Sequence, residues 1–202
     1  QIARFEPALL VCFELSEFAL YQLTEAFAVH FPGLQVVAVA GDVKDAIRVD
    51  EIIGRYRPQV IFHAAAYKHV PLMEDHNAWQ AVRNNVLGTW LVARSAVAFD
   101  VPRFVLVSTD KAVNPTNVMG ATKRLAERVC QAMALQGRTQ FEIVRFGNVL
   151  GSAGSVIPKF AEQIAAGGPV TVTHPEITRY FMSIREAAQL RSEEHTSELQ
   201  SH

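Results

Sequence analysis

Arg103-Phe104-Val105-Leu106-Val107-Ser108 is an apolar run that ends abruptly in Thr109-Asp110-Lys111. The run has the length and composition of a buried strand, and a helical pattern follows from about Asn117 to Leu135. The same succession repeats outward from it. Upstream, strands are predicted at Ala8–Phe13, Gln35–Ala40 and Gln59–Ala65. They alternate with a helix over Ser16–Phe31, capped by Ser16 and stopped by Pro32-Gly33, and with a helix running from Gly41-Asp42 to about Tyr56. A long amphipathic stretch covers Asn77–Phe99. Downstream, Gln140–Phe146 reads as a strand. After Gly147 the pattern loosens into Gly, Ser and Pro, with a short helix near Lys159–Ala166 and a short strand at Val170–Thr173. Strands that are apolar on both faces and alternate with helices predict an α/β fold built on a doubly wound parallel sheet.

The chain has 202 residues, half of them apolar, with 19 basic and 20 acidic side chains. That is enough for one domain with a substantial core and a smaller second region. The division expected is 1–146 for the sheet domain and 147–190 for a partial ligand-binding region. Residues 191–202, RSEEHTSELQSH, resemble the in-frame translation of a sequencing adaptor and are set aside. A formal charge of −1 advertises no nucleic-acid surface. No apolar run approaches the roughly 18 residues of a membrane span. Cys12 and Cys130 read as buried thiols of a reduced, cytoplasmic compartment.

In parallel sheets ligands sit beyond the carboxyl ends of the strands, so the chemistry is sought there. Glu14 ends the first strand and suits the hydroxyls of an adenosine ribose, favouring NAD over NADP; it also reads as a solvated carboxylate. Asp42 is either a helix cap or an adenine-edge contact. Ala64-Ala65-Ala66 is small enough for backbone to approach a flat ligand, or for close helix–strand packing. The glycine-rich phosphate turn that would precede Glu14 by about 20 residues is missing from the sequence, so the first unit is expected to be cut away. Asp110 and Lys111 form either a proton-transfer pair or a surface ion pair. Met119 and Lys123 fall four apart, on one helical face directed at the strand ends. Asn148 and Ser155 lie in a Gly/Ser loop suited to a diphosphate, which Arg179 could pair bidentately. His63, His69 and His174 show no metal-ligand spacing.

Several blocks in order resemble one family: His63–Glu74, Asn84-Asn85-Val-Leu-Gly-Thr89, Ser108–Arg124, Val144–Ser152 and Gly168–Met182. Lys123 stands where the short-chain dehydrogenase/reductase superfamily has the lysine of Tyr-x-x-x-Lys, with Met119 in the tyrosine's place. That departure is similar to the CapD-like polysaccharide-biosynthesis nucleotide-sugar dehydratases. The resemblance spans Ala8 to Leu190. It implies a Rossmann-type fold with bound NAD and 4,6-dehydration of UDP-N-acetylglucosamine. By resemblance Lys111 is the C5 base, Asp110 the acid, Thr109 a partner of the C4 oxygen, and Lys123 a cation near the nicotinamide ribose. It further implies that Val156, Pro158 and Phe160 line the uracil side of a nucleotide-sugar lid, with Lys68 and Glu74 as weaker sugar contacts. A homo-oligomer, and in longer members a membrane tether, are also implied.

Overall fold

The computed structural model describes residues 2–150, 156–172, 174, 176 and 181–183. The chain divides into two compact units, Gln1–Ile143 and Val144–His202. In the first, β1 (Leu10–Glu14) leads into α1 (Glu17–His30), β2 (Val36–Ala40), α2 (Ala46–Tyr56) and β3 (Val60–His63). A continuous helical stretch follows as α3 (Ala78–Val82), a π turn (Arg83–Leu87) and α4 (Gly88–Ala98). Then come β4 (Arg103–Thr109), α5 (Val118–Met133) and β5 (Gln140–Phe146), which runs across the division. The alternation predicted from the sequence is therefore present.

β1 pairs with β2 in parallel, Leu10 opposite Val36 through Glu14 opposite Ala40. β3 pairs with β4 in parallel, Val60 opposite Arg103 through His63 opposite Leu106. The strand orders are β1-β2 and β3-β4-β5, two separate pieces among the described residues. β4 is the central strand of the larger piece, and its buried residues show it. Phe104 and Leu106 are fully buried, and they join Val49 and Ile53 of α2, Val92, Ala93 and Ala96 of α4, and Ala126, Cys130 and Met133 of α5 in one cluster. Burial of each such large side chain stabilises the fold by about 1.5–3 kcal/mol. β3 is less covered than a doubly packed strand should be, since Val60 and Phe62 are each 37% exposed.

Helix starts follow local chemistry. Ser16 Oγ accepts from the Ala19 amide, as expected of its cap position. Asp45, not Asp42, caps α2, accepting from Arg48 N at 3.1 Å. Asp42 lies three residues earlier, outside the first turn, which corrects its reading as a cap. Of the two cysteines, Cys130 is buried and Cys12 only half-buried.

In the second unit, β6 (Asn148–Val149) pairs in parallel with β7 (Phe181–Met182), and α6 (Val156–Ala165) starts three residues before the helix predicted near Lys159. Residues 170–172 form no strand, contrary to the sequence reading of Val170–Thr173. Gly167, at φ +89°, stops α6 and turns the chain away. Among the described residues no helix is long and apolar enough to cross a membrane.

Candidate active site at the end of strand β4

β4 delivers Thr109, Asp110 and Lys111 into a single 3-10 turn, Asp110–Ala112. Asp110 Oδ1 accepts from Thr109 Oγ1 at 2.9 Å and from Lys111 Nζ at 3.0 Å. One carboxylate oxygen thus gathers the hydroxyl and the ammonium. Burial works to raise the Asp110 pKa, but the hydrogen bonds from Lys111 and Thr109 overcome it and hold the carboxyl below its ordinary value. The pair is only half-shielded, with Lys111 24% and Asp110 43% exposed. It can meet a ligand from solvent.

α5 backs this turn. Its amino end is held twice, by Asn117 Oδ1 accepting from Gly120 N at 2.8 Å and by Glu74 Oε1 accepting from Val118 N at 3.0 Å. Glu74, read as a sugar contact, is thus engaged with the helix start. Met119 is 4% exposed and packs with Met73 and Ala81, so its thioether lies in an apolar cluster. Lys123 is buried too, and its Nζ donates to the carbonyl of Val107 at 2.7 Å. Burial pulls its ammonium down to about 8, against the pull of Cys130 and Glu127.

The loop after β3 is set by an asparagine that sequence reading gave no role. Asn85, fully buried in the π turn, accepts from Tyr67 N at 2.7 Å and donates to Tyr67 O at 3.0 Å, pairing with that residue as a strand would. Its amide also donates to Thr122 Oγ1 of α5 at 2.9 Å. Asn85 sits at the middle of the π turn Arg83–Leu87, beside Asn84, which is also buried. Ala64 is exposed and Ala65 and Ala66 are half-buried, so the loop offers its backbone across small side chains. Lys68 is exposed.

At the other strand ends, Glu14 Oε1 accepts from Ser16 N at 2.9 Å. Asp42 pairs with Lys44 Nζ at 2.9 Å, and Lys44 also donates to Asn84 Oδ1 at 3.2 Å. Burial works to raise the Asp42 pKa, and the Lys44 contacts overcome it and lower it. His63, buried at the end of β3, meets Thr89 Oγ1 at 3.0 Å. That hydroxyl already donates to Asn85 O at 2.7 Å, so Nε2 of His63 carries the hydrogen. Among the described residues no cluster of His, Cys, Asp and Glu could hold a metal ion. In the second unit, Asn148 opens β6 and is half-buried. Val156 and Phe160 of α6 are half-buried and Pro158 is exposed, while Ser155 and Arg179 lie outside the described residues.

The family described as "Polysaccharide biosynthesis protein" matches residues 1–198. The chain belongs to this family. A Staphylococcus aureus member, capsular polysaccharide biosynthesis protein CapD, is 50% identical over 192 residues, 94% of this chain and 32% of its own length. A UDP-glucose 4-epimerase of Rickettsia rickettsii is 40% identical over 153 residues, 74% of this chain and 44% of its own length. The chain thus spans less than half the length of either relative. Among solved structures, Pen from Bacillus thuringiensis superposes with TM-score 0.83 at 36% identity, over 91% of this chain and 56% of that one. A double mutant of DesIV, a dTDP-glucose 4,6-dehydratase from Streptomyces venezuelae with NAD bound, gives 0.80 at 22% identity, over 95% and 66%. These likenesses establish the α/β fold as Rossmann-type.

Proposed function

We propose that the protein carrying this chain is an NAD-dependent 4,6-dehydratase of UDP-N-acetylglucosamine, making a 4-keto-6-deoxy sugar for polysaccharide synthesis. The observation that carries this reading is the Lys111–Asp110 contact at 3.0 Å beside Thr109, on the end of the central strand. A bound nicotinamide supplies hydride acceptance at C4 of the hexose and hydride return at C6. The 4-ketone acidifies the C5 proton, and the chain's own residues move protons.

Elimination of water across C5–C6 needs a neutral base and a protonated acid together. An ammonium and a carboxylate in contact hold one proton between them. Passing it from Lys111 Nζ to Asp110 Oδ1 yields an amine and a carboxylic acid. Lys111 then takes the C5 proton, the C5–H electron pair forms the C5=C6 bond, and Asp110 protonates the departing C6 hydroxyl as water. In this reading Thr109 Oγ1 bonds the C4 oxygen. Met119 cannot take the C4 hydroxyl proton, so that proton passes through Thr109 to a water and the pair keeps its single proton. The Lys111 ammonium later returns its proton to C5, and a proton from solvent restores the pair.

Several features of the chain suit NAD. The loop from Ala64 to Ala66 presents backbone without bulk, Asn85 holds that loop, and Glu14 ends β1 where an adenosine ribose is met in this fold. Asn148, Ser155 and Arg179 are assigned to the diphosphate and Lys68 to the sugar. The partner is a nucleotide sugar, and a homo-oligomer facing the cytoplasm, with or without a membrane tether, fits this role.

The Rickettsia relative favours a second reading, C4 epimerisation. Incubating the full-length protein with UDP-N-acetylglucosamine and reading the product by NMR decides between them. A 4-keto-6-deoxy sugar is expected. A C4 epimer without loss of water supports the second reading, and no conversion removes both.

A further inference from the structure

Two ionisable side chains of α5, Lys123 and Glu127, stand one helical turn apart and are both buried, at 4% and 0% exposure. Each reaches one of two consecutive residues at the end of β4. Lys123 Nζ donates to Val107 O at 2.7 Å, and Ser108 Oγ donates to Glu127 Oε1 at 2.6 Å. Arg124 Nη1 donates to the other carboxylate oxygen at 3.2 Å. Val107 and Ser108 immediately precede the Thr109–Lys111 turn, so this bracket fixes where the turn leaves the strand. Apolar packing would hold a strand against a helix without burying a carboxylate, and a buried charge costs desolvation. Glu127 therefore calls for a reason beyond packing.

We propose that Glu127 is a positioning residue: it orients the Thr109–Lys111 turn through Ser108 and is the counter-ion that keeps Lys123 an ammonium bonded to Val107. What the oriented turn does in catalysis rests on the dehydratase reading; the orientation and the charge do not.

The groups around Lys123 come from three elements. His63 of β3 is buried and driven down to about 3, hence neutral at ordinary pH. Cys130 of α5 is pushed up to about 12 by burial, so it is still a thiol when Lys123 titrates near 8. At the end of β4, Asp110 and Lys111 are in contact at 3.0 Å. Among the described residues, Glu127 is an anion that works against the burial of Lys123, and Arg124 tempers it.

The test follows the Lys123 ammonium by lysine-selective NMR in the full-length protein, with its signal assigned by Lys123→Met. Glu127→Gln keeps an acceptor for Ser108 and removes the charge. Its Lys123 should titrate lower by about one unit or more. Ser108→Ala keeps the charge and breaks the bracket. Its Lys123 titration should stay within about 0.3 units of wild type, while the amide signals of Thr109, Asp110 and Lys111 shift. An unmoved Lys123 titration in Glu127→Gln overturns the proposal, as does equal loss of thermal stability in both variants with no change in titration. If Glu127→Gln does not fold, Lys123→Met reads the coupling from the other side. The Glu127 carboxyl must then titrate higher than in wild type, and an unmoved carboxyl overturns the proposal. None of these signals needs substrate, so a failed product assay beside a shifted Lys123 indicts only the dehydratase reading.

Discussion

Gly120 of α5 lies so close to the main chain of Lys111 that a β-carbon there would come within 2.5 Å of the Lys111 carbonyl oxygen. Nothing flexible stands in between, and the obstructing atom is backbone. Gly120→Ala must therefore displace the Asp110–Lys111 turn or tilt the start of α5. It should cost about 1–3 kcal/mol in urea denaturation and lower turnover more than tenfold. Gly33→Ala, where a β-carbon meets nothing within 4 Å, is the control and should stay within about 0.5 kcal/mol of wild type.

Asn85 satisfies both main-chain groups of Tyr67 and the hydroxyl of Thr122. Asn85→Ala removes the side chain that holds both main-chain groups of Tyr67, while Thr122 Oγ1 keeps its bond to the Met119 carbonyl. A loss of about 2–4 kcal/mol is expected, with faster hydrogen exchange at the Tyr67 amide. Unchanged exchange would show that the loop after β3 is held by something else.

His63 carries a pH dependence whose sign follows from burial. Its folded pKa is lowered from 6.5 to about 3, chiefly by desolvation and then by the charge of Lys123. The unfolded chain takes up a proton below 6.5 that the folded chain refuses until about 3. Its contribution is fully present above 6.5 and is lost as pH falls, at about 1.4 kcal/mol per pH unit. Denaturation curves between pH 6.5 and 5 should show this slope in wild type and not in His63→Gln.

Glu14→Ala tests the cofactor assignment. If Glu14 bonds the ribose hydroxyls and repels a 2′-phosphate, as proposed, its removal should cut the preference for NAD over NADP about tenfold in the full-length protein. Calorimetry with both dinucleotides reads it. An unchanged ratio returns Glu14 to the local turn it makes with the Ser16 amide.

The sheet elements were readable because apolar runs of strand length end in polar residues, and β5 has the predicted bounds, Gln140–Phe146. The Asp110–Lys111 pair was readable because adjacent residues at a strand end cannot avoid one another. What escaped depends on distant partners. Asn84-Asn85 looks like the polar side of an amphipathic helix, and only Tyr67, 18 residues away, reveals the clamp. Glu127 follows Arg124 at the spacing of a surface ion pair, yet the packing of α5 on β4 buries it completely. Asp42 and Asp45 are chemically alike, and the start of the first turn of α2 selects Asp45 as the cap. The pairing of β6 with β7 is two residues long and leaves no period to read.

Lys111→Ala, supplied with UDP-N-acetylglucosamine in deuterated solvent, tests the central claim most directly. If Lys111 is the C5 base, the bound cofactor should become reduced, C5 should take up no deuterium and no 6-deoxy product should form. Asp110→Asn should exchange C5 and still form little product, since general acid catalysis contributes about 10²–10⁴-fold. Wild-type turnover in Lys111→Ala would contradict the account and leave the pair at the end of β4 a surface ion pair.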